Sequence, residues 1–218
     1  METSPYILND LKAFSLENTI EEAKLLFGET SFSHFPVLKN NLLIGLLSEE
    51  SIKEIEENTK EIGYFQYLFT HFYIEKNSNL LDVLGVFASN NANLIPVTAN
   101  NEYVGYFEIN DILQLINDTP FLKSEGDVIL LEKEVRDFSF SQICQIVESN
   151  NANILGVFIA ESTASTVKIS LKINTHELNE ILQSFRRYNY NVLSTHKEDF
   201  FIEDLKDRSN YLQKYLNI

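Results

Sequence analysis

The stretch "FPVLKNNLLIGLLSEESI", residues 35–52, decides the fold, because it lies without a gap over "IPVTANNEYVGYFEINDI", residues 95–112. The two stretches are 60 positions apart and share Pro-Val, a pair of asparagines, a glycine and a closing isoleucine. We name them the first copy and the second copy. A repeat at this spacing indicates one supersecondary unit that the chain uses twice.

Each copy predicts two short strands, a tight turn between them and a following helix. The paired asparagines, Asn40-Asn41 and Asn100-Asn101, favour a two-residue hairpin turn. The apolar runs at residues 42–47 and 103–107 have the length of buried strands. The helices that follow are predicted from the apolar spacing that begins at Ile52.

A further helix is predicted before each copy. "NTIEEAKLLFGE", residues 18–29, places Thr19 and Glu22 at the spacing of a capping box. "NLLDVLGVFASN", residues 79–90, repeats this design. The expected inward faces are Ile20, Ala23, Leu26 and Phe27 in the first of these helices and Leu81, Leu84 and Phe87 in the second.

A third related phrase introduces a different fold. "SNNANILGV", residues 149–157, resembles "SNNANLIPV", residues 89–97, but no Pro-Val, Asn-Asn turn or later glycine follows it. The residues around it predict a strand, a helix that Ser139 and Gln142 cap, two strands, a helix and a short strand. This order, βαββαβ, is that of a ferredoxin-like fold. The expected buried face of its third strand is Val167, Ile169, Leu171 and Ile173.

The charge is distributed unevenly along the 218 residues, whose formal net charge is −15. Residues 1–120 hold 6 lysines, no arginine and 18 acidic residues, which leaves −12, whereas residues 121–218 carry −3. The change, together with Pro120 and Gly126, indicates a domain boundary near residues 117–127. An acidic chain without a concentrated basic surface is not expected to bind nucleic acid.

The repeated phrases at residues 34–52 and 93–113 resemble the core of CBS domains, which occur in tandem as a pseudo-symmetric pair. The phrases at residues 136–155 and 167–193 resemble an ACT-type regulatory domain, and the whole layout resembles bacterial proteins of the acetoin-utilisation B type. The resemblance implies an α+β chain. Its expected parts are a CBS pair at 1–120, with repeats at about 1–60 and 61–120, an ACT-like domain at 121–198 and an amphipathic helix at 199–218.

The resemblance also implies a ligand site in each copy. In CBS families a Gly-x-x-Ser/Thr-x-x-Asp stretch holds adenosine nucleotides, with the hydroxyl near phosphate and the carboxylate on the ribose. The first copy has Ser48 at the hydroxyl position but Ser51 in place of the acid. The second copy has Asp111 but Glu108 in place of the hydroxyl. A polar helix start is equally typical of an ordinary N-cap, so both readings stay open.

Two histidines complete the candidate ligand-binding residues. His34 precedes the Phe-Pro-Val of the first copy, where the family lines its cleft, and His71 begins the second repeat. Lone histidines this far apart are more often structural side chains, which is the alternative. Because residues 1–120 contain no arginine, a triphosphate is expected to bind poorly there, and the resemblance implies adenosine or AMP as a weakly bound ligand.

The sequence predicts neither an enzyme nor a metal site. It contains no zinc-like Cys/His spacing, no glycine-rich phosphate loop and no nucleophile elbow. The single cysteine, Cys144, is expected to pack beside Ile143, Ile146 and Val147. No apolar run is long enough to span a bilayer, and the first residues lack the features of a signal peptide, so we expect a cytoplasmic protein without membrane contacts.

These observations predict a non-enzymatic regulatory protein that senses a small ligand and signals to a partner. The alternative is a structural adaptor that dimerises without any small molecule. The family resemblance implies a homodimer in either case. The terminal helix, with Leu205, Leu212, Tyr215 and Leu216 on its apolar side, is expected to pack on its own domain or to bind a partner.

Overall fold

The structure is a computed structural model that describes residues 2–194, 196 and 201–216, with the side chains of 201–204 and 206 left out. The chain divides into two compact units, Met1–Ile116 and Asn117–Ile218. Helices and strands are mixed in both units, as the α+β prediction requires. The boundary predicted after residue 120 lies four residues from this division.

Unit 1 contains one six-stranded sheet, in the order β1-β2-β3-β6-β5-β4. Its strands are β1 (Phe14–Ser15), β2 (His34–Lys39), β3 (Leu42–Ser48), β4 (Ile74–Glu75), β5 (Leu94–Ala99) and β6 (Glu102–Glu108). Its helices are α1 (Ile20–Glu29), α2 (Glu49–Lys53), α3 (Leu80–Asn90) and α4 (Ile109–Asn117), with a short 3₁₀ helix at Ser4–Tyr6 and another at Ile62–Leu68. The order of strands is mirrored about the middle of the sheet, because β1 to β3 repeat as β4 to β6.

The hairpin turns are as predicted. Asn40 and Asn41 both have positive φ, at 53° and 65°, and Asn100 and Asn101 repeat this geometry at 51° and 69°. Asparagine tolerates this left-handed region better than most residues, and two such residues in a row produce the tight turn whose twist suits a hairpin. The turns fix the register, in which His34 lies opposite Ser48 and Leu94 lies opposite Glu108.

Two segments, residues 8–10 and 70–73, lie between the copies in the middle of the sheet, and we name them the crossing segments. Strands β3 and β6 pair only at Leu42 and Glu102. Beyond that pair, Leu8 exchanges backbone hydrogen bonds with Tyr106, at 2.9 and 2.8 Å, and Thr70 does the same with Leu46, at 2.8 and 3.0 Å. Each copy therefore has a second neighbour strand that comes from the segment before a repeat.

The helices of unit 1 confirm one local prediction and correct another. Thr19 and Glu22 form the expected capping box at the start of α1. In α3, however, Leu81 is 76% exposed, and the inward face is formed by Val83 and Phe87, with Leu80 and Leu84 partly buried. The sequence predicts Leu81 rather than Leu80 on the inward face, because either of two adjacent leucines fits the helical spacing.

Unit 2 contains a four-stranded sheet, in the order β10-β7-β9-β8, with neighbouring strands antiparallel. Its strands are β7 (Asp127–Glu134), β8 (Asn153–Ser162), β9 (Thr166–Asn174) and β10 (Asn191–Val192). Its helices are α5 (Pro120–Lys123), α6 (Phe140–Ser149), α7 (Leu178–Arg187) and α8 (Phe201–Leu216), and a 3₁₀ turn lies at Val135–Asp137. The element order from β7 to β10 is βαββαβ, and β9 separates β7 from β8 as in a split βαβ unit.

The core of unit 2 follows the predicted alternation in β9, whose Val167, Ile169, Leu171 and Ile173 are all buried. The cap predicted for α6 is wrong, because Ser139 occupies the N-cap position without a side-chain hydrogen bond to the helix. Cys144 is half-buried on the same helix. Residues 199–200 and 217–218 of the predicted terminal helix, and 195 and 197–198 before it, lie outside the described residues, whereas α8 is helical as expected.

We predict that Gly105→Ala destabilises unit 1 by at least about 2 kcal/mol. Gly105 has φ +146°, and a Cβ there would collide with the carbonyl oxygen of Leu8 in the crossing segment. Gly85, in the middle of α3, has no atom within 4 Å of an added Cβ, so Gly85→Ala should instead stabilise by roughly 0.5–1 kcal/mol. Urea unfolding followed by circular dichroism compares the two variants, and equal effects would contradict this account of Gly105.

Candidate functional site

Three of the predicted ligand residues come together at the end of the first hairpin. We name His34, Ser48 and Ser51 the first-copy cluster. His34 begins β2 and lies directly opposite Ser48, the last residue of β3, so the hairpin register holds both at one edge of the strand pair. The helix α2 starts immediately after Ser48 and carries Ser51. The structure thus joins residues that are 14 to 17 positions apart in sequence.

The two serines are engaged with each other in this structure. The Oγ of Ser48 accepts a hydrogen bond from the backbone N–H of Ser51, at 3.1 Å, and donates one to the Ser51 Oγ, at 2.7 Å. Ser48 is therefore an N-cap residue, which was the alternative to ligand binding at this position. Both hydroxyls are only half-buried and carry no charge.

His34 is enclosed by residues of the crossing segment and of its own loop. Its Nδ1 lies 2.8 Å from the Ser33 Oγ, and its ring meets Phe72 edge to face, with the centroids 5.2 Å apart. Only 8% of the residue is exposed. Burial lowers the pKa of His34 below its ordinary value, because the charged imidazolium loses hydration there. The imidazole is consequently neutral near pH 7.

A polar contact ties this edge to the second copy. The backbone N–H of Ser33 donates to the Asn93 Oδ1, at 2.8 Å, and the Asn93 backbone N–H donates to the Ser33 Oγ, at 3.1 Å. The Asn93 amide nitrogen also donates to the carbonyl of Ser31, at 2.6 Å. Ser33 and Asn93 occupy the same position in the 60-residue repeat, so equivalent positions of the two copies meet here.

The second copy has a different, acidic environment. Glu108 takes the place of Ser48, opposite Leu94, and Asp111 follows in the first turn of α4. The crossing segment contributes Asp10, whose carboxylate accepts a hydrogen bond from the Tyr106 hydroxyl at 2.9 Å. We name Asp10, Tyr106, Glu108 and Asp111 the second-copy group.

Two of these carboxylates, those of Asp10 and Glu108, act on the same tyrosine. The pKa of Tyr106 is raised well above its ordinary value, first by burial and then by the hydrogen bond and charge of Asp10, with Glu108 adding to the effect. The pKa of Tyr103 is raised by burial and by Asp10. Negative charge around the second copy therefore opposes the formation of any further anion there.

His71 is separate from the first-copy cluster. It is exposed on the crossing segment and lines a groove of about 210 Å³ with Gly45, Phe72 and Tyr73. A Cβ on Gly45 would lie 3.1 Å from the His71 ring and 2.9 Å from the Cβ of Phe69, so the glycine is what lets this segment approach β3. His71 therefore lines a surface groove rather than the strand end that bears His34.

The sequence prediction missed the residues that the crossing segments bring to each copy. Asp10 and Phe72 lie outside the repeated motif, and no pattern in the sequence indicates which strand they join. Tyr106 was passed over because its position reads as an ordinary strand residue. The sequence does show that Leu8 and Thr70 precede the two copies at nearly the same distance, which indicates equivalent roles for the two segments but not their partner strands.

Two further findings limit the chemistry of the described chain. Among residues 2–194, 196 and 201–216, no three histidine, cysteine or acidic side chains are grouped so that they could hold a metal ion. Within the same residues, no helix has both the length and the apolar character needed to cross a membrane.

We predict that acidification destabilises unit 1 partly through His34. The unfolded chain binds a proton at the ordinary histidine pKa of 6.5, whereas the folded chain binds it only at lower pH. Stability should therefore fall as the pH drops below about 6.5. His34→Gln should flatten this fall in a thermal unfolding series between pH 7.5 and 5, and His71→Gln is the exposed control. An unchanged pH dependence in His34→Gln would contradict the prediction.

Comparison with known proteins finds similarity to one domain family and to two relatives. Residues 6–57 match the family model of the CBS domain. The uncharacterized protein MJ1232 of Methanocaldococcus jannaschii is 32% identical over 104 residues, which are 45% of this chain and 34% of that protein. The uncharacterized protein MJ0188 of the same organism is 26% identical over 148 residues, which are 63% and 56% of the two chains. The chain thus spans about a third to just over half of the length of these relatives.

The solved structures that resemble this chain have a lower sequence identity to it than these relatives. A CBS domain pair/ACT domain protein from Thermotoga maritima has 13% identity and a TM-score of 0.47, covering 53% of this chain and 96% of that chain. CBSX2, solved in complex with AMP, has 18% identity and a TM-score of 0.44, covering 53% and 95%. Both TM-scores lie below 0.5. The part of the chain that matches the CBS-domain model is the segment from residue 6 to residue 57.

Proposed function

We propose that this chain is a non-catalytic regulatory protein whose first unit binds adenosine or AMP at the first-copy cluster. The observation that carries the proposal is the pairing of a neutral His34 with two uncharged serine hydroxyls at the end of a CBS-type hairpin. The two half-buried hydroxyls at this strand end offer hydrogen-bonding groups to a ligand, whereas the His34 and Phe72 rings are buried against each other. Such a site recognises a nucleoside without needing a catalytic group.

The difference between the copies supports the choice of the first. Phosphate oxygens at the second copy would approach Glu108, with Asp10 and Asp111 as further negative charges. Two like charges about 4 Å apart repel by on the order of 4 kcal/mol at an effective dielectric constant of 20. At the first copy the corresponding residue is Ser48, which brings no such repulsion. We therefore expect one occupied site per chain.

The ligand is expected to bind weakly. Ser51 stands where the resemblance to CBS domains implies a carboxylate for the ribose hydroxyls, and a serine offers a weaker, uncharged partner. The Ser48–Ser51 hydrogen bond must also open before either hydroxyl can turn to a ligand. A weakly bound ligand suits a sensor that responds to changes in concentration.

We predict that Ser48→Asp weakens AMP binding and leaves the fold intact. Aspartate is as good an N-cap as serine, so α2 keeps its start, while the new carboxylate repels the phosphate. Isothermal titration calorimetry should show a loss of at least about tenfold in AMP affinity, with a smaller loss for adenosine. Asp111→Ala is the matched control in the second copy and should bind AMP as the unchanged chain does.

Two outcomes of that titration would contradict the proposal. Loss of AMP binding in Asp111→Ala with retention in Ser48→Asp would place the ligand in the second copy. The absence of any heat with adenosine or AMP would favour the structural adaptor instead.

We further predict that AMP binds more tightly than ATP in the absence of Mg²⁺. Residues 1–120 contain no arginine, and their net charge is −12, so the added phosphates gain no bidentate guanidinium contacts and meet a repelling field. Titration of both nucleotides in physiological salt tests this. A tighter complex with ATP would show that the charge argument is wrong.

The second candidate function, a structural adaptor, is favoured by α8. Leu205, Leu212 and Leu216 of this helix are 48%, 59% and 81% exposed, as an element that binds a partner would require.

The assignment of unit 2 to the ACT-type domains and the cytoplasmic location stay predictions. That the protein signals to a partner also stays a prediction.

A homodimer is expected under either function. Strand β8 lies at the edge of its sheet, and it is ten residues long with one charged residue, Glu161, and an exposed Phe158. A strand at the edge of a sheet can pair with the same strand of a second copy. Light scattering at micromolar concentration should give twice the 25.1 kDa of the monomer, and a monomer mass would contradict the expectation.

A further inference from the structure

Unit 2 contains a polar cleft between the last turns of α6 and α7. Its volume is about 490 Å³, within the range of small-molecule sites. The lining side chains include Gln145, Ser149 and Asn150 from α6 and Ser184, Arg187 and Tyr188 from the end of α7. The cleft thus offers amides, hydroxyls and one guanidinium to the same space.

A buried serine of α7 lines the cleft. Ser184 is 5% exposed and lies on the core face of the helix with Ile181, Leu182 and Phe185. The Ser184 hydroxyl accepts a hydrogen bond from the Arg187 Nη2 at 2.8 Å. This bond holds the guanidinium at the wall of the cleft and uses only one of its five N–H donors.

One basic side chain, that of Arg187, lines the cleft, although the chain as a whole is acidic. Arg186 lies beside it in the last turn of α7. The Lys133 Nζ donates to the Tyr188 carbonyl at 2.5 Å and lies 4.6 Å from the centroid of the Tyr190 ring. The last turn of α6 adds one acid, Glu148, and the C-terminal ends of both helices add negative partial charge. The guanidinium of Arg187 is therefore the group in the cleft that can hold an anion.

The remaining polar groups match hydroxyls better than a second charge. The Asn150 amide nitrogen donates to the Ile146 carbonyl at 2.6 Å, which leaves its Oδ1 as an acceptor. Gln145, Ser149 and Tyr188 each provide both a donor and an acceptor. A ligand with one carboxylate and several hydroxyls would pair with all of these groups.

We propose that this cleft binds a small polyhydroxylated carboxylic acid of the sugar-acid class, with its carboxylate on Arg187. A planar carboxylate accepts two parallel hydrogen bonds from a guanidinium. The hydroxyls of the ligand then meet the amides of α6. This site is independent of the nucleoside site proposed for unit 1.

Amide chemical shifts of the isotope-labelled full chain test the proposal, with gluconate as the probe. Sorbitol is the matched control, because it has a hydroxymethyl group in place of the carboxylate of gluconate. Gluconate should saturate shifts around residues 145–150 and 184–188, and sorbitol should bind at least about tenfold more weakly. Arg187→Gln should weaken gluconate at least about tenfold, because it keeps a polar amide but removes the charge and the paired N–H donors of the guanidinium.

Two further variants control for charge and for folding. Arg186→Gln removes an equal charge from the same turn and should change gluconate affinity less than about twofold. Gln145→Ala, at an exposed position on the rim, should weaken gluconate without affecting the fold. The proposal is overturned if gluconate and sorbitol bind alike, if Arg187→Gln binds gluconate as the unchanged chain does, or if the shifts fall elsewhere.

Discussion

The organisation of unit 1 depends on the backbone pairing of its two crossing segments. Leu8 pairs with Tyr106 and Thr70 pairs with Leu46, so each segment that precedes a repeat is bound to a strand of the other repeat. These bonds hold β3 and β6 apart after their single shared pair. They also bring Phe72 to the first copy and Asp10 to the second. Neither residue belongs to the repeated motif.

The two copies show how one backbone can support different chemistry. Both present a strand end, a helix start and a crossing segment at the same positions. The first site has the uncharged Ser48 where the second has Glu108, and its acids, Glu49 and Glu50, follow in α2. Asp10 adds a further carboxylate to the second site. The fold determines where a site lies, and a few side chains determine which ligands its field accepts.

Local patterns were sufficient to predict most of the fold. Asparagine pairs with positive φ, the Thr19–Glu22 capping box and the alternation in β9 each have a physical cause that acts within a few residues. One error arose at Leu81, because Leu80 and Leu81 fit the helical pattern equally well. The other arose at Ser139, because its side chain does not reach a backbone N–H group of α6. The candidate site was predicted only as far as the motif extends, because Asp10 and Phe72 reach it through long-range strand pairing that the sequence does not encode locally.

The contact between Ser33 and Asn93 has a consequence for how the two halves of unit 1 recognise each other. In a symmetric pair of identical halves, one residue type would face itself at this position. Here Ser33 and Asn93 exchange hydrogen bonds in both directions, and the additional bond from Asn93 to the Ser31 carbonyl has only one direction. The hydrogen bonds between the two halves are therefore asymmetric, and each half is complementary to the other half rather than to a copy of itself. If the chain were cut between them, heterologous reassembly would be favoured over self-association of either fragment.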